Sequence, residues 1–245
     1  LSYSGEIKNN ILEGDIWIIG GSDPALGSVR FSQTYFQPFS FYKKWAAKIK
    51  SKGIDKINGN IIGTENQRLN NKVPRTWLWE DIANYFGASA SMLNIYENTY
   101  QLSFNTGNKT GVLTKLEKIT PEGIGLEFTN EVKSANGGGD QAYIFGAPES
   151  KERIIRGSLP VGYDNFVVKG AIADPALLTA KHLKKEIENS GIQISGEAKK
   201  GMPEKELKTI HTLKSPKLSE LIKITNHRSI NLYANSIALL FSEDR

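Results

Sequence analysis

Three short patterns in this chain carry residues suited to acyl transfer. Ser40-Phe41-Tyr42-Lys43 places a hydroxyl and an amine one helical turn apart. That is the spacing at which a lysine can take the proton of a nucleophilic serine. Lys109-Thr110-Gly111 offers a cation and a hydroxyl of the kind that line a cleft from a sheet edge. Ser-x-Asn occurs at Ser103-Phe104-Asn105, Ser134-Ala135-Asn136 and Ser229-Ile230-Asn231. In such a triplet the hydroxyl can relay a proton while the amide orients a polar group of the substrate. A site built from all three patterns needs them on three different elements around one nucleophile.

That requirement discriminates among the matches. Ser103 and Lys109 are separated only by residues 104–108, and Asn105-Thr106-Gly107-Asn108 reads as a hairpin turn. The two motifs would sit on opposite arms of one hairpin. Ser40, Ser103 and Lys109 therefore fail as a joint site despite their order. Ser229 has a different setting. Ser215-Pro216 reads as a helix start, followed by the apolar positions Leu218, Leu221 and Ile222. A break is expected near 226–229, and then Ile230, Tyr233, Ala234, Ile237, Leu240 and Phe241 recur at helical spacing. Ser229 thus lies at a helix-loop-helix junction. The plain alternative is that it serves only as an N-cap.

The elements upstream alternate between helix and strand. Ile16-Trp17-Ile18-Ile19 reads as a strand, broken by Gly20-Gly21-Ser22-Asp23-Pro24. Residues 40–52 form an aromatic-rich helix with Phe41, Trp45 and Ile49 at every fourth position, stopped by Gly53, and residues 54–62 follow as a strand. A second unit echoes the first. Asp174-Pro175-Ala176-Leu177 repeats Asp23-Pro24-Ala25-Leu26, and its Asp and Pro suit a helix start. The stretch from Gly191 to Gly196 echoes that from Gly53 to Gly59. The echo implies two α/β units sharing a sheet, with the middle of the chain inserted between them. That middle, near 67–141, carries Trp77, Trp79, turn residues and alternating runs at 100–104 and 123–128, which read as β. Asn136-Gly137-Gly138-Gly139-Asp140 lacks the Lys-Ser/Thr of a phosphate-binding loop and reads as a turn. The Lys-rich stretch 199–217 reads as a solvated connector.

Composition narrows the chemistry. At 245 residues, 39% hydrophobic and 23% charged, the chain can bury a sizeable core. A net charge of +5 is a mild basic excess, better read as a solvated surface than as a nucleic-acid footprint. The absence of cysteine excludes disulfides and a thiol nucleophile. His182, His211 and His227 are far apart, so no metal site and no cofactor are expected. No apolar run is long enough for a membrane span. The chain opens on Leu1 without a leader-like stretch, as a processed or partial chain would.

The order of longer segments resembles the S13 family of serine D-alanyl-D-alanine carboxypeptidases/endopeptidases, the class C low-molecular-mass penicillin-binding proteins. The residues that carry the likeness are Ile11-Leu12-Glu13-Gly14-Asp15-Ile16-Trp17, the stretch from Gly20 to Leu26, and Gly53-Ile54 through Gly59-Asn60. Trp77-Leu78-Trp79-Glu80-Asp81 with Tyr85-Phe86-Gly87-Ala88, then Gly191 to Gly196, Ser215-Pro216-Lys217-Leu218 and Asn226 to Ala234 follow in order. The resemblance implies a catalytic domain interrupted by accessory domains. An α/β accessory domain would occupy 1–66 and 142–213, a nested mostly-β insertion 67–141, and a helical part of a transpeptidase-like catalytic domain 214–245. It implies that Ser229 and Asn231 are catalytic-site residues. Ser40-x-x-Lys43 and Lys109-Thr110-Gly111 become coincidences of the accessory domains. The family's own Ser-x-x-Lys would lie upstream of Leu1 and its Lys-Thr-Gly downstream of Arg245, leaving this chain inactive alone. The implied reaction is acyl-enzyme hydrolysis of peptidoglycan stem peptides, blocked by β-lactams, in the periplasm or another extracytoplasmic space. The competing expectation is a non-catalytic module that binds the cell wall or a protein partner.

Overall fold

The computed structural model describes residues 1–31, 39–65, 73–148, 150–204 and 206–242. The elements are, in chain order, β1 (Ser2–Tyr3), β2 (Glu6–Lys8), β3 (Ile11–Glu13), β4 (Ile16–Ile18), α1 (Ser40–Ser51), β5 (Lys56–Ile57) and β6 (Ile61–Thr64). Then come β7 (Thr99–Asn105), β8 (Lys115–Thr120), β9 (Glu127–Asn130), β10 (Lys133–Ala135), β11 (Gln141–Phe145), β12 (Glu152–Pro160) and β13 (Phe166–Ala171). The chain closes with α2 (Pro175–Asn189), β14 (Gln193–Ile194), β15 (Ala198–Gly201), β16 (Lys208–Thr209), α3 (Leu218–Arg228) and α4 (Asn231–Ser242). They fall into two compact units. One comprises Leu1–Asn70, Ala90–Glu97 and Pro175–Arg245, the other Asn71–Ser89 and Asn98–Asp174.

The first unit is α/β. One sheet has the order β15-β6-β4-β1-β16, with β4, β6 and β15 parallel and β1 antiparallel to β4 and β16. A second has the order β14-β5-β3-β2, with β14, β5 and β3 parallel. Helix α1 buries Phe41, Trp45 and Ile49, the positions expected from the sequence. Helix α2 buries Leu183 and Ile187 and lies close over β6, where a Cβ on Gly63 would come within 2.2 Å of the Ala176 carbonyl oxygen.

The echo between the halves is real in space. β14 runs parallel beside β5, and β15 beside β6. The strand expected over 54–62 is two strands, interrupted at Asn58-Gly59-Asn60. The interruption has a steric cause. Gly14, Gly59 and Gly196 lie side by side where the strands pass from one sheet to the other. A Cβ on Gly59 would stand 2.1 Å from the Gly14 carbonyl oxygen, and one on Gly196 2.3 Å from that of Gly59. Backbone bonds from Ile16 N–H to Asn60 O and from Gly196 N–H to Gly59 O hold the crossing together. Only residues without a Cβ fit where backbones approach this closely.

The second unit is β. β13-β7-β8 form an antiparallel sheet in which Tyr100, Leu102 and Phe104 alternate inward and are fully buried. β12 pairs with β11 on one side and with β9 and β10 on the other. Strands β11 to β13 thus pair within this unit, although they follow residue 140 in sequence.

Several local expectations are corrected. Asp23-Pro24 opens a turn rather than a helix, with the Asp23 carboxylate accepting the Ala25 N–H at 2.9 Å. Only its echo, Asp174-Pro175, precedes a helix. Lys109-Thr110-Gly111 lies in the loop before β8, not on the arm of the hairpin. The stretch 199–217 is not all connector, because Lys199 and Lys200 belong to β15 at the edge of the first sheet.

Candidate active-site segment

The α3–α4 pair builds the candidate site. Ser215-Pro216 lies just outside α3, which starts at Leu218 behind an extended Lys217. The Glu220 carboxylate closes the start by accepting the Lys217 N–H at 3.0 Å. Leu221 is the buried residue of α3, whereas Leu218 and Ile222 are exposed. The helix ends at Ser229 in the left-handed conformation, φ 50° and ψ 51°. Ile230 then offers its carbonyl to the N–H of Tyr233 (3.1 Å) and Ala234 (3.3 Å), and Asn231 is the first residue of α4.

This geometry settles the role of Ser229 as a cap. An N-cap is extended and precedes its helix. Ser229 is left-handed and closes the helix before it, while Ile230 occupies the N-cap position of α4. The Ser229 and Asn231 side chains are both exposed, set on either side of Ile230. The start of α4 adds the partial positive charge of a helix N-terminus to this turn.

The face of α4 opposite Asn231 is fixed by packing. Leu232 and Tyr233 join Ala25, Phe31, Ala90 and Leu221 in a core cluster against which Ile230 and Ile237 pack. The Tyr233 ring stacks on Phe31, centroids 6.4 Å apart. Its buried hydroxyl donates to Glu97 Oε1 at 2.9 Å. Burial, and then the charge of Glu97, push the Tyr233 hydroxyl well above the usual tyrosine range, so it remains a donor at neutral pH. Glu97 also accepts from Ser28 Oγ (2.6 Å) and Arg30 Nε (2.9 Å). Nothing in the sequence singles out this group. Its members are scattered along the chain, and no local spacing links them.

The other motif matches are placed elsewhere. Ser40 and Lys43 occupy the first turn of α1, Lys43 exposed. Ser103, Lys109 and Ser134 belong to the second unit. Ser134 is buried, its hydroxyl donating to the Thr106 carbonyl. Asn105 accepts the Gly107 N–H at 2.9 Å, as a turn-forming residue does. Of the histidines, His182 packs among the rings of Phe39, Tyr42 and Tyr96. Among the described residues no three His, Asp or Glu side chains cluster as metal ligands would, and no helix is long and apolar enough to cross a membrane. A cleft of about 430 Å³ borders Asp23 and Asn94, and neither Ser229 nor Asn231 lines it.

The fold and the family agree. The chain belongs to the D-Ala-D-Ala carboxypeptidase 3 (S13) family, whose sequence pattern matches residues 1–244. Among individual proteins it is similar to the D-alanyl-D-alanine carboxypeptidase DacB of Haemophilus influenzae, with 21% identity over 97% of this chain and 47% of the relative. The crystal structure of penicillin-binding protein 4 (dacB) from the same organism superposes with a TM-score of 0.71 at 18% identity, covering 99% of this chain and 52% of that one. A second structure of that protein, in complex with a novel β-lactam, gives a TM-score of 0.65 at 18% identity over 96% of this chain and 47% of that one. The chain therefore spans about half the length of the relatives it matches.

Proposed function

We propose that the chain supplies the Ser-x-Asn corner of a serine D-Ala-D-Ala peptidase that acts on peptidoglycan stem peptides outside the cytoplasm. The observation that carries the reading is the placement of Ser229 and Asn231, exposed on a helix-helix corner in a chain of the S13 family. On this reading residues 214–245 are part of the catalytic domain and the rest is accessory. The nucleophile and its lysine, and the Lys-Thr-Gly strand, come from polypeptide outside these 245 residues.

The chemistry follows from the residue types. The nucleophilic serine attacks the carbonyl of the penultimate D-Ala, forming an ester and expelling the terminal D-Ala as an amine, and water then hydrolyses the ester. Backbone N–H groups stabilise the oxyanion. The Ser229 hydroxyl accepts a hydrogen bond from the lysine and passes a proton to the leaving amine. The Asn231 amide donates to the carbonyl of the substrate backbone and holds it in line. A β-lactam enters the same site as a strained amide and acylates the same serine.

Fluorescent penicillin tests the reading. The 245-residue chain should take no label, whereas the longer protein that contains it should take one per molecule. Stoichiometric labelling of the 245-residue chain would show a nucleophile within it, reopen Ser40 as the candidate and overturn the division of labour. A longer protein that takes no label would favour a non-catalytic wall-binding module.

A further inference from the structure

The start of α4 is held from below by a turn 136 residues earlier in the chain. Tyr96, Glu97 and Asn98 have φ values of 54°, 57° and 49°, three consecutive left-handed non-glycine residues. Such a run is strained for residues with a Cβ and persists only where surrounding contacts over-determine it. The contacts on Glu97 are polar and convergent. Its Oε1 accepts from Ser28 Oγ, Arg30 Nε and Tyr233 OH, and the Tyr233 hydroxyl lies 3.3 Å from Ser28 Oγ as well. One turn further along α4 the buried Ser236 hydroxyl meets the Asn94 amide at 3.4 Å. Tyr233 donating to Glu97, and Ser236 accepting from Asn94, therefore hold one face of α4 at two points.

We infer that Glu97 and Tyr233 are positioning residues for the Ser229-Ile230-Asn231 turn, a conclusion that rests on the functional reading above. Tyr233 stands two residues after Asn231, close to the opposite side of the helix, so its ring points into the core while Asn231 is exposed. A helix fixed at two points on its inner face cannot roll, and rolling is the motion that would swing Ser229 and Asn231 away from a reacting group. Apolar packing alone leaves that rotation softer than a charged acceptor does, because hydrogen bonds to a carboxylate are short and directional.

The test uses the longer protein and follows acylation by a fluorescent penicillin over a concentration series, separating the dissociation constant from the rate of the acylation step. Tyr233→Phe removes one hydroxyl and keeps the ring. It and Glu97→Ala should each slow the acylation step about 10-fold or more, as misplacement of a catalytic group does, at an unchanged dissociation constant. Glu97→Gln keeps an acceptor oxygen for Tyr233 without the charge and should give a rate between those of Glu97→Ala and the wild type. Ser229→Ala, run in parallel, should lose more than either. If Tyr233→Phe and Glu97→Ala stay near the wild-type rate while Ser229→Ala loses it, the positioning role is wrong and the site reading stands. If Ser229→Ala also keeps the wild-type rate, both fall. A lower labelled fraction with a normal rate would mean partial unfolding, and would also overturn the positioning role.

Discussion

Ser229 closes α3 in the left-handed conformation and Asn231 opens α4, so one residue, Ile230, separates the two candidate polar groups. The corner is tight because its first residue adopts a backbone angle that a side chain disfavours. Backbone and hydroxyl can therefore be tested apart. Ser229→Gly should leave stability to urea unchanged or raise it by up to about 1 kcal/mol, since glycine accepts a positive φ freely. Ser229→Val should cost about 1 to 2 kcal/mol for the opposite reason. Equal effects of the two substitutions on the unfolding midpoint would show that the corner is not left-handed.

The glycine crossing makes a second prediction. Gly59→Ala would drive a Cβ into the Gly14 carbonyl oxygen, and the neighbour is backbone that cannot swing aside. Overpacking of this kind should cost about 1 to 3 kcal/mol. Gly21→Ala meets nothing within 4 Å. It should change stability by less than about 0.5 kcal/mol. Thermal unfolding of both variants checks the contrast, and a harmless Gly59→Ala would contradict the crossing.

His211 provides a pH test. Its imidazole is held below the usual histidine value by burial first, then by the positive charge of Lys48. The folded chain thus binds fewer protons than the unfolded chain in the window just below about pH 6.5. Stability should fall as pH drops through that window, because protonation favours the unfolded state there. His211→Gln should remove this part of the slope. A proton NMR titration that placed His211 at or above the ordinary histidine value would contradict it.

Local patterns made much of the fold legible. The fourfold spacing of Phe41, Trp45 and Ile49 and the alternation of Tyr100, Leu102 and Phe104 gave their elements correctly, because each is a short-range period that matches one buried face. The junction at Ser229 was legible from the apolar periods on both sides, although Ser215-Pro216 placed the helix start slightly early. What the sequence hid is non-local. The break at Gly59 depends on Gly14 and Gly196 as neighbours, and the pairing of Phe166–Ala171 with Thr99–Asn105 joins segments far apart in the chain. Glu97 was hidden for the same reason: its partners are Ser28, Arg30 and Tyr233, and none is close to it in sequence.

The most direct measurement compares the three Ser-x-Asn serines in the longer protein by its second-order rate of acylation with a fluorescent penicillin. Ser229→Ala should lower that rate about 100-fold or more, the scale of a lost proton relay. Ser103→Ala and Ser134→Ala should leave the rate of the folded fraction unchanged, since Ser103 lies on β7 and the buried Ser134 hydroxyl serves the Thr106 carbonyl. A Ser229→Ala protein that acylates at the wild-type rate would contradict the account.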